Sequence, residues 1–275
     1  MSGLNYGNFA GHNNMTSYDV VTVSYQNAAT IKRYLSHTRF DKNAVQLMVV
    51  DNGSRDGTVE QLQATLSAHQ MRLNKDNLGY AKAANQGAAS GHQAFIVFIN
   101  PDCYAETGTI DRLVEYLQDH PDIGVVGCRV LNQDGTLQAA SCRRLPTFWR
   151  VFNHVTGLNR LGLPGINKAA KCANKSTAVE AVNGAFFVIR RDLFEQLKGF
   201  DEGYPLHFED LDLFARCLSA GYQIYYLANQ QAIHLQGQSK QRQDLIKQWK
   251  KQGLKRYFQK HRPRWEQWII NRLLV

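Results

Sequence analysis

No run of about 18 consecutive apolar residues occurs in the 275-residue chain, so nothing in it reads as a membrane-spanning helix. The start lacks the basic-then-apolar pattern of a secretory signal; residues 1–17, rich in Gly, Asn and Ser, read as a flexible leader. There is no CxxC pair. The 5 cysteines (Cys103, Cys128, Cys142, Cys172, Cys217) are odd in number and scattered, which argues for reduced thiols in a cytosolic protein, and against a zinc site or a disulfide framework. Neither GxGxxG nor a P-loop is present, and no internal repeat or low-complexity segment breaks the chain.

What is present is an ordinary globular composition, 44% hydrophobic and 20% charged, long enough to bury a sizeable core. The formal net charge of +9 suggests an anionic partner such as nucleotide phosphates, acidic lipid headgroups or nucleic acid. That charge is uneven. From Lys240 to Arg272 the chain carries eleven Lys and Arg side chains, opposed only by Asp244 and Glu266.

Apolar patterning gives the organisation. Asp19–Ser24, Val45–Val50, Met71–Asn74 and Phe95–Ile99 read as strands, and helical spacing follows each of them: Ile31 and Leu35; Val59, Leu62 and Leu66; Ala81–Ala89; Ile110, Leu113, Val114 and Leu117. Alternating strands and helices over the first 120 residues predict a parallel sheet with right-handed crossovers. Further on, Gly124–Leu131, Ala181–Ile189 and Gln223–Leu227 read as strands, Arg191–Leu197 and Glu209–Ala220 as helices. Arg143–Ala178 has no clean period and reads as a long loop with short helical turns.

The strand ends carry the chemistry. Asp51 and Asn52 end the second strand, Asn77 the third, and Asn100 with Asp102 the fourth, just past a proline that stops the ladder. Each alone is good turn chemistry. Together they line one rim of one sheet, where open α/β sheets bind ligands, and suit a nucleoside diphosphate with a divalent cation on hard oxygen ligands. A second cluster is Glu209-Asp210-Leu211-Asp212 after His207, at a helix start. The macrodipole accounts for one or two acids there. Asp210 and Asp212 point in different directions, so one can face a cleft as a general base while the other caps or pairs with Arg216. His234, after a strand and before a Gly237-Gln238-Ser239 turn, is a ligand or a satisfied structural histidine.

In order, VTVSYQN (21–27), VVDNGSRDGT (49–58), NLGYAKAANQG (77–87), FINPDC (98–103), VNGAFFVIRR (182–191), GFDEGYPLHFEDLDLFARCLSAGY (199–222) and IHLQGQS (233–239) resemble the family 2 inverting glycosyltransferases. The likeness is to the rhamnosyltransferase-like branch that builds bacterial surface polysaccharides, including lipopolysaccharide O-antigen, and covers roughly residues 19–240. It implies an α/β GT-A fold, a Rossmann-like, mostly parallel central sheet flanked by helices, with a C-terminal helical basic tail. By this reading, 18–240 is the catalytic domain, 18–125 holding the nucleotide sugar and 126–240 the acceptor, and 241–275 is the tail.

The resemblance also implies roles. Ser24 and Tyr25 contact the nucleotide, Asp51 and Asn52 the base or ribose; Asn77 and Asn85 border the base and diphosphate, and Lys82 neutralises charge. Asn100-Pro101-Asp102 stands where the family carries a DxD-type motif, with Asn100 replacing the first acid and Asp102 left as the carboxylate for Mn²⁺ or Mg²⁺. His234 is a second metal ligand and Asp210 the general base, while Glu209 and Trp149 lie on the acceptor side. The implied reaction moves a sugar, a deoxyhexose such as rhamnose, from a nucleotide diphosphate sugar to a hydroxyl of a glycan or lipid-linked acceptor. Galactofuranose, glucose and N-acetylhexosamine are the alternative donors.

Two other classes compete. A sugar nucleotidyltransferase needs a Gly-rich, basic loop after the first strand, which Tyr25-Gln26-Asn27 is not. A non-catalytic polyanion-binding module would use the basic tail but leaves Asp51, Asp102 and Asp210 idle, and no nucleic acid partner is expected. Trp249, Tyr257, Phe258, Trp265, Trp268, Ile269, Ile270 and Leu273 among the tail's cations suit peripheral contact with an anionic membrane surface from the cytoplasmic side, or equally a helical pair packed on the domain.

Overall fold

The computed structural model describes residues 17–37, 45–105, 108–167, 172, 174–235 and 243–273. The leader 1–16, the Gly237-Gln238-Ser239 turn, Lys240 and Arg242 lie outside the described residues.

The first half alternates as its apolar periods require: β1 Tyr18–Ser24, α1 Ile31–His37, β2 Val45–Asp51, α2 Thr58–Gln63, β3 Met71–Leu73, α3 Tyr80–Ala88, β4 Phe95–Ile99, β5 Cys103–Ala105 and α4 Thr109–Asp119. The second half is β6 Ile123–Leu131, β7 Cys142–Arg143, α5 Phe148–Thr156, β8 Thr177–Val179, β9 Ala181–Val182, β10 Phe186–Arg190, α6 Arg191–Gln196, α7 Glu209–Ser219, β11 Gln223–His234, α8 Gln243–His261 and α9 Arg264–Leu273. One nine-stranded sheet runs β3-β2-β1-β4-β10-β6-β11-β5, with β8 also on β11; β7 and β9 pair separately. Pairing is parallel from β3 through β4 and between β6 and β11, while β10 lies antiparallel between β4 and β6.

Period-two alternation sends neighbouring side chains of the central strands into two separate cores. Phe95, Val97 and Ile99 of β4, with Phe186 and Val188 of β10, pack under α1, α2 and α4. Ile96, Phe98, Phe187 and Ile189 pack on the other face with α3, α6 and α7, and with Leu254, Tyr257 and Phe258 of α8. Phe98 is fully buried, its ring within 5.0–5.3 Å of Phe187, Phe194 and Phe200. Truncating it to Ala would cost about 3–5 kcal/mol by transfer and cavity terms. The strand that ends at Asn100 is thus fixed from both sides.

Four expectations need correction. Arg143–Ala178 holds a longer helix than the short turns expected among its loops: Thr147 caps α5 by accepting the Arg150 N–H at 3.3 Å, and a short 3-10 turn follows at Leu158–Leu161. Its apolar residues showed no clean period because several of them stay exposed, so burial did not select a stripe. The 181–189 segment is two strands, broken where Asn183 Oδ1 accepts the Ala185 N–H at 3.0 Å. β11 continues well past Leu227 to His234 across a register shift between Leu227 and Gln231, a discontinuity that interrupts the side-chain alternation. Finally, Cys142 and Cys172 form a disulfide, with Cα atoms 6.7 Å apart, while Cys103, Cys128 and Cys217 are free and buried. Two scattered cysteines become partners only because the excursion after β7 returns to it, and spacing does not encode that return.

Candidate active site

The parallel strands β1, β2 and β4 end on one rim, and the polar loops after them form a cleft of about 560 Å³. Tyr25, Asn27, Asn52, Asn77, Asn100 and Asp102 line it, together with Trp249 of α8. Asn52 ties the rim together: Oδ1 accepts the Leu78 N–H at 3.0 Å and Nδ2 donates to Asn77 Oδ1 at 2.9 Å.

Not every expected residue reaches the cleft. Asp51 is fully buried, its oxygens accepting from Ser24 Oγ at 2.8 Å, Ser54 Oγ at 2.6 Å and the Gly53 and Ser54 N–H groups. In this structure Asp51 and Ser24 therefore shape the loop that presents Asn52, and do not themselves line the cleft. Asn85 binds Phe200, donating to its carbonyl and accepting from its N–H at 2.9 Å, which joins α3 to the segment before α7. Lys82 is exposed on α3 and is not among the residues that line the cleft. Trp149 is 61% exposed, on the outer face of α5.

Asp102 meets His234. β5 pairs antiparallel with the end of β11, setting His234 opposite Cys103, and the Leu235 N–H donates to the Asp102 carbonyl at 2.9 Å. His234 Nε2 lies 3.2 Å from Asp102 Oδ1, both side chains nearly buried, and Nδ1 lies 3.3 Å from Gln138 Oε1. A carboxylate oxygen and an imidazole nitrogen converging, with the far nitrogen held by a third side chain, form a donor set that suits a divalent cation. No group of three or more His, Cys, Asp or Glu gathers among the described residues.

A second cavity, of about 750 Å³, opens beside the cleft and shares Tyr80, Asn100 and Leu206 with it. Glu209, Asp210, Arg143, His234 and Lys247, Lys250 and Lys251 of α8 also line it. Asp210 sits in the first turn of α7, its Oδ2 paired with the Arg143 guanidinium and so close to Gly184 that a Cβ there would displace the carboxylate. Asp212 instead points inward and is fully buried. Arg216 Nε, His261 Nε2 and Lys260 Nζ contact it at 2.8, 2.8 and 2.6 Å. Burial alone would raise its carboxyl, yet hydrogen bonds from His261 and Lys260 bring it down to about 2. The two acids thus divide as their helical spacing requires, one toward a cavity and one into pairing.

Glu209, only 7% exposed, is the opposite case. Burial and the adjacent Asp210 charge push its carboxyl up to about 8, and its Oε2 finds no hydrogen-bond partner among the described residues. Burial and the same two carboxylates raise the Tyr80 phenol. Burial, with Lys250 and Arg143 nearby, lowers His207 to about 4. The approach to α7 is strained: His207 and Phe208 adopt φ of 67° and 74°, unusual for non-glycine residues and typical of functional sites. α8 holds them there, passing so near that a Cβ on Gly253 would lie 2.8 Å from the His207 carbonyl oxygen.

Sequence reasoning missed Gln138 and gave no individual role to Arg143 or the α8 lysines. Gln138 and Arg143 fall where no periodic pattern marks an element, and the α8 lysines looked like a generic charge run.

A family model described as Glycosyl transferase family 2 matches residues 19–197. The chain is 27% identical over 230 residues to the N-acetylglucosaminyl-diphospho-decaprenol L-rhamnosyltransferase of Mycobacterium tuberculosis, covering 78% of this chain and 75% of that protein. It is 24% identical over 226 residues to rhamnosyltransferase WbbL of Escherichia coli K12, covering 78% and 82%. Among solved structures, the mannosyltransferase PcManGT from Pyrobaculum calidifontis, in complex with GDP-Man and Mn²⁺, superposes with a TM-score of 0.61 at 19% identity, covering 88% of this chain and 63% of that one. GalNAc-T7 with UDP, GalNAc and Mn²⁺ gives 0.63 at 16% identity, covering 90% and 48%. The structural likeness is one of fold, and the chain spans less than two thirds of either solved chain. The fold is the expected GT-A arrangement, and with the family model spanning well over half its length, the chain belongs to glycosyl transferase family 2.

Proposed function

We propose that the chain is an inverting transferase that moves a deoxyhexose such as rhamnose from a nucleoside diphosphate sugar to a hydroxyl of a glycan or lipid-linked acceptor. One observation carries the reading: two cavities of unlike character meet at Asn100 and Tyr80, one lined by amides and Asp102, the other by Asp210 and cations. A donor in the first would present its anomeric carbon at the junction, and an acceptor in the second would bring its hydroxyl to Asp210. The relatives that are rhamnosyltransferases support the choice of sugar.

In this reading the amides of Asn52 and Asn77, already preorganised by their mutual hydrogen bond, orient the nucleotide. Asp102 and His234 would hold a divalent cation, which when bound neutralises charge on the departing diphosphate. Asp210 accepts the acceptor proton as the hydroxyl attacks from the face opposite the leaving group, which inverts the anomeric centre. Arg143, bound to Val182 O and to Asp210, fixes the carboxylate's direction. Burial and the neighbouring Asp210 carboxylate favour the protonated form of Glu209, which makes it the poorer proton acceptor of the two near neutral pH.

A panel of nucleotide sugars, scored by thermal shift and by donor hydrolysis with and without Mn²⁺ or Mg²⁺, tests the reading. One nucleoside diphosphate sugar is expected to raise the Tm, and more so with the metal. Stabilisation by none of them would overturn it.

A further inference from the structure

The described surface exposes eleven large hydrophobic side chains, and eight of them fall within two short stretches, 149–163 and 265–273. The stretches are neighbours. Glu266 Oε2 of α9 accepts the Phe148 N–H of α5 at 3.1 Å, and the Phe148 and Trp265 rings lie 6.1 Å apart. Trp149 is 61% exposed and Val155 78% on α5; Trp265 is 51% and Trp268 56% on α9. Other faces of both helices are anchored inward through Val151 and Ile270, so these exposures are not a consequence of detachment.

The charge on this face has one sign. α5 contains no acid, and α9 contains only Glu266, which is buried and paired with Arg262 at 2.7 Å. Glu180, beside α5, is held by Arg150. The Arg272 guanidinium lies 4.0 Å from the Trp268 ring centroid, and Lys247, Lys250 and Lys251 line the cavity that α5 also walls. Amphipathic aromatics interleaved with cations match the interfacial zone of an anionic bilayer, where rings sit at headgroup depth and cations meet the lipid phosphates. A second copy of the chain is a poorer occupant, because apposing this face with itself would set like charges together.

We propose that the face formed by α5 and α9 docks the protein on an anionic lipid surface. Val155 is both on this face and in the wall of the cavity that holds Asp210, so docking would open that cavity toward the bilayer. The docking rests on exposure and charge alone; only its consequence for the acceptor rests on the transferase reading. It also moves the membrane contact from the whole tail to α9 and α5, since Leu254, Tyr257 and Phe258 of α8 are spent on the core.

The test is co-sedimentation of the full chain with vesicles of phosphatidylglycerol and phosphatidylcholine, against phosphatidylcholine alone. The parent is expected to sediment with the anionic vesicles, to be released by salt, and to ignore the neutral ones. The W265S/W268S double variant, at two half-exposed positions, should partition at least about tenfold more weakly. L161S, at a site 80% exposed on the other stretch, provides an independent loss. Failure of the parent to sediment, equal binding to neutral vesicles, undiminished binding by the variants, or self-association that the variants abolish would each overturn docking. Donor-induced thermal shift should be unchanged in the variants, so a failed donor panel and a failed vesicle assay condemn different statements.

Discussion

Glu209→Gln separates the two neighbouring carboxylates by their response to pH. Burial and the Asp210 charge raise the Glu209 carboxyl from 4.5 to about 8. The folded state therefore favours the protonated form, while the unfolded chain ionises above 4.5. Stability from this group is fully present below 4.5, falls as pH rises from there to about 8, and is flat beyond. At pH 7 the unfolded carboxyl is about 2.5 units past its midpoint, and at about 1.4 kcal/mol per unit the parent loses about 3 kcal/mol. At pH 5 the loss is under about 1 kcal/mol by the same relation. Glutamine keeps the shape and cannot ionise, so E209Q should be more stable than the parent by about 3 kcal/mol at pH 7, with most of that gain gone at pH 5. Urea unfolding at the two pH values measures the difference. A gap between variant and parent that does not change with pH would refute the reasoning, because it would mean Glu209 ionises alike in both states.

Asp210→Asn should lower kcat by about 10²–10⁴ while leaving donor-induced thermal shift intact, and E209Q should lose far less at neutral pH. Equal losses in single-turnover assays would mean the base is not confined to Asp210. Gln138→Leu removes the group facing His234 Nδ1 and is expected to weaken metal-dependent donor binding by about 10–100-fold, read by titrating Mn²⁺ at fixed donor. An unchanged Mn²⁺ midpoint would show that the Gln138 contact does not tune His234 as a cation ligand.

Much of the fold was legible because burial imposes a period. The central strands alternate between two cores, and their ends fall where Asp51-Asn52 and Asn100-Pro101-Asp102 interrupt the apolar run. The same spacing logic divided Asp210 from Asp212 correctly, since residues two apart on a helix cannot face one way. It failed where burial does not select a face. α5 keeps its apolar side in the open and left no periodic trace, and the antiparallel direction of β10 was invisible because alternation marks a strand but not which way it runs.

The chain by itself determined which chemistry is available: amides at strand ends, one carboxylate after Pro101, and an acidic pair at a helix start. Which of these groups work together was decided by tertiary structure. Asp51 and Asn85, promising in sequence, turn inward to hold loops, because a buried polar group must be satisfied by whatever lies nearest. His234 becomes a partner of Asp102 only through the β5–β11 register, and Arg143 reaches Asp210 only because β7 pairs with β9 beside α7. The basic tail, read as a separate electrostatic feature, closes over the site and supplies Trp249 to one cavity and three lysines to the other. Such contacts join residues far apart along the chain, and local pattern carries no record of which distant segments the packed core will bring together.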